Sequence, residues 1–556
     1  MLPFHRFCRL GPPRRAAAGL ALLLAASAST APLHGAAQHV AVASTPAFSP
    51  NLPALGDDGA LPLSEERRIG DRIVRGIYRD PDHLDDPALQ AYLQRIWQPL
   101  LAAAQARGEV SPELAERFAW QLLLARDRSI NAFALPGGYF GVHLGLMASV
   151  ATADELASVL AHELSHVSQR HIARLLTQQE RTAPWMVAAM VLGALAASQS
   201  KNADLAGAAI AGGQAVALQS QLNFSRDMER EADRVGFGVL SEAGFERSGF
   251  VTMFDKLQQA ARLNDDGSFA YLRSHPLTTE RIADMRARVQ LDADPGHSSA
   301  EHTRHDASAT AIHPSYHALM AARARVLAET DIDRLRALVR HGDASASTPL
   351  HDATTLGARY AATLAAARLR NAPAALRGLQ ALQAAPPSDA AARDSLRWLA
   401  LEVLHQLRLP QGAGQDVATL RQQALASPQR DALLLGASTA LNAPAAVQRQ
   451  ATEQLRTWTA QHPGDALAWQ TLAALHRAQQ QPVAAARAEA ESQLAQQDAP
   501  GALARFKAAQ SLARSQPVQD HYELSILDAR THATEQRVRD ELREERERRK
   551  GDASAP

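Results

Sequence analysis

The sequence predicts a mainly α-helical protein in two folded parts, the first carrying a small β-sheet and the second made of stacked antiparallel helix pairs. Three observations lead there. Apolar residues recur at helical spacing along most of the chain, and strand patterns are confined to the stretch between Phe118 and Val142. Beyond Ser315 the chain is alanine rich and broken only at Pro and Gly turns. Its 556 residues, 46% apolar and 21% charged, suffice for two or three globular units and exclude disorder of the whole chain. Lys and Arg together number 58, as do Asp and Glu, a balance that offers no electrostatic footing for a nucleic acid.

At the N-terminus, Arg6, Arg9, Arg14 and Arg15 precede the small apolar run Ala16 to Ala26, and Ala26-Ser27-Ala28 is a small-residue cleavage site. This is the pattern of a secretory signal peptide, assigned to residues 1–31, and it implies export. The run is too short to cross about 30 Å of hydrocarbon as a helix rising 1.5 Å per residue. The only cysteine, Cys8, lies in this segment. The mature chain therefore has no disulfide and no thiolate ligand, and any bound metal must be held by His and carboxylate. Residues 32–62 are rich in Pro, Ala and Ser without periodicity and read as an extended leader.

The first folded part spans 63–290. Ser64 followed by Glu65 and Glu66 reads as a helix start, and Ile69, Ile73 and Ile77 form an apolar stripe. Phe118 to Leu124 reads as a strand, and Asn131 to Leu135, the turn Pro136-Gly137-Gly138 and Tyr139 to Val142 as a hairpin. Asp154 to Leu176 has one continuous helical period. Two apolar stretches follow, Ala183 to Ala197 and Leu205 to Leu218, each short of the roughly 17 residues a spanning helix needs. They are expected to form a hairpin that is buried or makes peripheral contact with a membrane or a partner.

Residues 291–313, polar and unpatterned with His297, His302 and His305, read as a solvated linker. Residues 314–532 form the helical part. Its clearest unit has Trp469, Leu472, Ala473 and His476 on one helix, a break at Gln481-Pro482, and Ala484, Ala485, Ala488 and Glu489 on the next. That pattern is similar to tetratricopeptide repeats, whose stacked pairs build an α-solenoid. Residues 533–556, rich in Arg and Glu, read as a charged tail, a solvated helix or frayed end.

The densest chemistry is His162-Glu163-Leu164-Ser165-His166. On a helix, residues four apart lie one above the other, so both imidazoles reach one cation while Glu163 projects beside it as a base. Leu156, Val159, Leu160, Val167 and Leu175 make this helix largely apolar, which turns the polar triplet toward a pocket within the fold rather than toward solvent. A catalytic zinc takes a third protein ligand. Glu229 and Asp233, four apart on a second helical run, supply candidates: one carboxylate can bind the metal while the other accepts a hydrogen bond from a liganding imidazole. Alone, that acidic run would read as a surface ion-pair ladder.

Taken together, His162-Glu163-Leu164-Ser165-His166, Arg170-His171, Glu229 with Ala232-Asp233, and Asn131-Ala132-Phe133-Ala134 resemble the zinc metallopeptidases that include the CAAX prenyl proteases. With a signal peptide in front and tetratricopeptide-like repeats behind, the whole resembles the periplasmic beta-barrel assembly-enhancing proteases. The resemblance implies a zincin-type metallopeptidase domain followed by an α-solenoid. It implies one Zn2+ per subunit on His162, His166 and Glu229, with Glu163 as general base and Asp233 supporting a ligand. Ser274-His275-Pro276-Leu277 with Glu280 and Arg281 matches a segment whose histidine can take the fourth metal position. His275 is therefore a candidate fourth ligand or gate, its alternative being a pocket-wall histidine. Arg281 either orients the substrate or holds that segment. An extended substrate can pair with the strand edge near Asn131.

These features imply a periplasmic zinc endopeptidase acting on misfolded or stalled outer-membrane β-barrel proteins, with the barrel-assembly machinery as partner and a chaperone role through the repeats. The rival expectation is a non-proteolytic chaperone or scaffold with a structural zinc closed by four protein ligands.

Overall fold

The computed structural model describes residues 61–178, 225–263, 271–293, 311–344, 352–517 and 520–554. The expected signal peptide and nearly all of the leader, the apolar pair Ala183 to Leu218, and the linker histidines His297, His302 and His305 lie outside the described residues.

Helix α1 (Leu63–Ile77) buries Ile69 and Ile73, the expected stripe. Pro62 rather than Ser64 holds the cap position, and Glu65 and Glu66 sit in the first turn, where the helix dipole favours negative charge. After β1 (His83–Leu84), Asp86 caps α2 (Pro87–Ala106) by accepting from Leu89 N at 3.0 Å, and α3 (Pro112–Arg117) follows. Strand β2 (Gln121–Ala125) starts later than the residue pattern suggests. Phe118 caps α3, and Trp120 takes a positive φ of 49° to turn the chain into the sheet.

β3 (Ala132–Leu135) and β4 (Tyr139–His143) form the expected antiparallel hairpin. Its turn needs glycine, because Gly137 and Gly138 have φ of 76° and 80° and a Cβ on Gly138 would lie 2.8 Å from that of Phe118. The sheet order is β1-β2-β4-β3, with β2 and β4 parallel, so β3 is an edge strand. Both hairpin strands are nevertheless wholly buried.

Helix α4 (Leu144–Ser149) leads to α5 (Ala153–Ser168), capped by Thr152. The expected single helix from Asp154 to Leu176 is in fact two. α5 ends at Ser168, Arg170 adopts a left-handed φ of 53°, and α6 (His171–Gln178) sets off anew. Burial of an ion pair holds the break: the Arg170 guanidinium reaches Glu66 of α1 at 3.2 Å and the Leu61 carbonyl, and Glu66 is 1% exposed. Then come α7 (Arg226–Glu242), α8 (Ser248–Leu263), the single turn α9 (Tyr271–Ser274) and α10 (Thr279–Ala293), which carries helical structure into the expected linker.

From α11 (Pro314–Ala328) onward the chain is helical almost throughout, each helix packing on its neighbours up to the last, His521–Ser554. That last helix runs unbroken across position 533, where the charged tail is expected to begin. Its Glu544 and Glu541 pair with Arg68 and Arg75 of α1. Among the described residues no helix is long and apolar enough to cross a membrane.

One apolar core runs from Leu61 to Ala424, so the helical array and the sheet-bearing part share it. A polar seam lies within this junction. Arg323 of α11, 7% exposed, donates to both Asp86 oxygens at 2.7 Å and to Glu402 at 2.7 Å. Nearby, Tyr92 Oη donates to His317 Nδ1 at 2.6 Å, and His317 Nε2 donates to the Val150 carbonyl at 3.2 Å.

Replacing Arg323 with Met strands two carboxylates, one of them fully buried. The expected outcome is a loss of roughly 3 kcal/mol or more, read as a lower urea midpoint of unfolding; an unchanged midpoint would show that the seam contributes nothing.

Candidate metal centre

Helix α5 carries His162 and His166 on one face, and α7, capped by Ser225, crosses it. The crossing is close because Ala232 and Gly236 line the contact face of α7. A Cβ on Gly236 would lie 3.1 Å from the Ala161 carbonyl oxygen and from His162 N. One helical period back along α7 come Asp233 and Glu229, which therefore face the two imidazoles. A third element, α9 with His275 and Pro276, closes the site from the other side.

The polar atoms converge. His162 Nε2 lies 3.0 Å from His166 Nε2 and 3.4 Å from His275 Nδ1. Glu229 Oε1 lies 3.0 Å from His275 Nδ1 and 3.4 Å from His166 Nε2, and Glu229 Oε2 lies 3.6 Å from His162 Nε2. One donor atom from each of His162, His166, Glu229 and His275 falls within 4.8 Å of all the others. For bonds of 2.0–2.2 Å a tetrahedral ion needs ligand atoms about 3.3–3.6 Å apart, so the donor set fits a divalent cation such as zinc. Nitrogen and oxygen donors without sulfur suit that ion.

Glu163, 1% exposed, stands beside this set. Its Oε1 lies 3.4 Å from His275 Nε2, and neither of its oxygens accepts a well-aligned hydrogen bond among the described residues. Asp233 stands behind the set rather than in it. It lies 3.0 Å from His162 Nδ1, the nitrogen turned away from the cluster, which suits holding the ring rather than touching a substrate. Arg281 holds both acids of α7. It donates to Asp233 from Nε at 2.6 Å and Nη2 at 2.8 Å, and its Nη1 reaches Glu229 Oε2 at 2.7 Å and the Pro276 carbonyl at 2.9 Å. Of its two expected roles, the geometry fits holding the His275 segment.

Burial and charge set the protonation pattern. Burial pulls His162 down most strongly, but its hydrogen bonds to Asp233 and Glu229 together outweigh that and push it up to about 9. His166 is held well below its usual value by burial. Burial raises Glu229, yet His275, His162 and His166 bring it well below the carboxylate range. Glu163 lies above that range, chiefly through burial. Perturbations of opposite sign on neighbouring groups mark a built site.

Among the described residues the Asn131 side chain makes no hydrogen bond to this cluster. It is fully buried before β3, its carbonyl accepts from His143 N at 3.0 Å, and its amide has no aligned partner among the described residues. Two participants escaped the sequence reading. Tyr271 stacks on His275 with centroids 4.5 Å apart, and Glu231 lies 3.0 Å from His171, whose ring in turn meets His166. A tyrosine one turn before a histidine carries no signal of its own, whereas Glu231 sits inside the acidic run already singled out.

Residues 87–289 match Peptidase family M48. The matched stretch contains the whole donor set. The chain is 32% identical over 249 residues to the beta-barrel assembly-enhancing protease of Escherichia coli K12, covering 44% of this chain and 49% of that one. A Vibrio cholerae counterpart is 34% identical over 257 residues, covering 45% and 51%. The mitochondrial metalloendopeptidase OMA1 of Saccharomyces cerevisiae is 26% identical over 229 residues, covering 40% and 62%. The chain thus spans about half the length of the bacterial relatives it matches.

Enlarging the helix crossing should open the donor set. Gly236→Leu is expected to weaken Zn2+ binding by at least tenfold in a competition titration with a chromogenic chelator; wild-type affinity would show that the close approach of α7 does not set the site.

Proposed function

We propose that the chain is a zinc-dependent endopeptidase whose ligands are His162, His166 and Glu229. One observation carries this reading: two imidazoles of α5 and a carboxylate of α7 meet in a buried site with the carboxyl group of Glu163 beside them. Zinc bound there supplies a Lewis acid that polarises the scissile carbonyl and acidifies water. Glu163 takes the proton of the attacking water and hands it to the leaving amine, and its upward-shifted pKa suits both transfers. Asp233 fixes the His162 ring, and Arg281 fixes Asp233, Glu229 and the Pro276 carbonyl. The substrate lies extended along β3 near Asn131, hydrogen-bonded through its main chain.

His275 is the fourth donor and the gate. It lies in hydrogen-bonding range of the Glu229 carboxylate and occupies the space between His162 and Glu163, so neither water nor a peptide reaches Glu163 until the α9 segment withdraws. The substrates are misfolded or stalled outer-membrane β-barrel proteins in the periplasm, and the barrel-assembly machinery is the partner. The signal-peptide pattern and the likeness to bacterial beta-barrel assembly-enhancing proteases support this. The helical array, read as tetratricopeptide-like repeats, adds a chaperone surface.

A second reading rests on the same four donors. A closed set of three histidines and one glutamate also suits a structural zinc in a non-proteolytic scaffold. Unfolded β-barrel protein or casein, incubated with and without a chelator, separates the two, since only the peptidase loses cleavage on metal removal.

Glu163→Gln should lower turnover by roughly 10²–10⁴-fold while zinc stays bound. Loss of zinc together with activity would make Glu163 a ligand instead. His275→Ala should raise turnover of the purified protein several-fold, and unchanged or lower turnover would remove the gate.

A further inference from the structure

His166 presents Nε2 to the donor cluster and Nδ1 to His171, whose Nδ1 lies 2.9 Å away. At that separation one nitrogen donates and the other accepts. His171 Nε2 lies 3.0 Å from Glu231 Oε2, and Arg174 donates to the same oxygen at 2.9 Å. A carboxylate held by an arginine accepts only, so His171 must carry its proton on Nε2. Its Nδ1 is then the acceptor, His166 Nδ1 must be the donor, and the lone pair of His166 is left on Nε2, facing the metal position. The reverse set of tautomers would put the His171 Nε2 lone pair against the Glu231 carboxylate.

The fold is arranged for this contact. In one continuous α-helix, at about 100° per residue, positions 166 and 171 would point about 140° apart. The break at Arg170, with its φ of 53°, turns His171 back beneath His166, where it is wholly buried. Helix α7 then provides an acid for each histidine of the motif: Asp233 for His162 directly, and Glu231 for His166 through His171.

We infer that His171 and Glu231 are positioning residues that select the tautomer of His166 and so preset the metal site. Neither touches the metal. This inference rests on the reading of His166 as a ligand, and the test keeps the two apart. Zn2+ affinity of the full chain is measured by chelator competition, and thermal melting of the metal-free protein is followed by circular dichroism. Glu231→Leu, which removes the acceptor, and His171→Ala should each weaken Zn2+ binding by about 10–100-fold with the metal-free melting temperature held, and His171→Asn, which keeps an acceptor near Nδ1, should recover most of the loss. Variants that bind within twofold of wild type would overturn the relay, as would affinity losses matched by a fall in metal-free melting temperature. Should His171→Ala not fold, Glu231→Leu, at a partly exposed site, decides alone. A wild-type chain that binds no Zn2+ would overturn instead the assignment of the ligands.

Discussion

Charge imbalance in a dry space governs this molecule. Glu163, Glu229 and Asp233 are each about 1% exposed, and the one permanent cation among them is Arg281. Three acids thus face one such cation among the described residues, an excess of acid that a divalent cation would offset. Ionised carboxylates stripped of water are costly unless paired, so the scaffold must bring its donors to one point with little tolerance. The close crossing at Gly236, the capping of α5 and α7, and the Arg281 fork all serve that requirement. The helix of His162 and His166 is seated on one side by the fully buried strand β3 and on the other by α7, so neither ring can drift without unpacking the core.

Much of this was legible in the residues. The spacing of His162 and His166, the acids at Glu229 and Asp233, the hairpin about Gly137-Gly138 and the stripe of α1 are periodic or turn-coded signals, and such signals survive in sequence. What was hidden depends on contacts between distant segments. The break at Arg170 looks like uninterrupted helix because Arg and His are tolerated in helices; Glu66 and the Leu61 carbonyl, both far upstream, hold the left-handed turn. The contacts of Arg281 with Asp233 and the Pro276 carbonyl could not be read from its position in the chain. Tyr271 gains a role only by stacking on His275.

The helical array was expected beyond a linker at 291–313. Arg323, His317 and the apolar face of α11 are sunk into the sheet-bearing part, and the described core passes between them without interruption. Linker composition reports solvation of a short stretch, not the independence of what flanks it. An event in the array therefore bears on α2 and α4 through packed side chains, and α4 joins β4 to the strand-proximal end of α5.

The pairing of Arg68 with Glu544 joins positions 476 residues apart. Both side chains are about half exposed, so the bond is weak; its importance lies in timing. The opening helix of the folded region meets its last neighbour only after almost the entire polypeptide has been made, and loop closure over such a span is slow. Glu66 on that same opening helix anchors Arg170 across only 104 positions, so the left-handed turn that seats His171 beneath His166 needs nothing from the last helix.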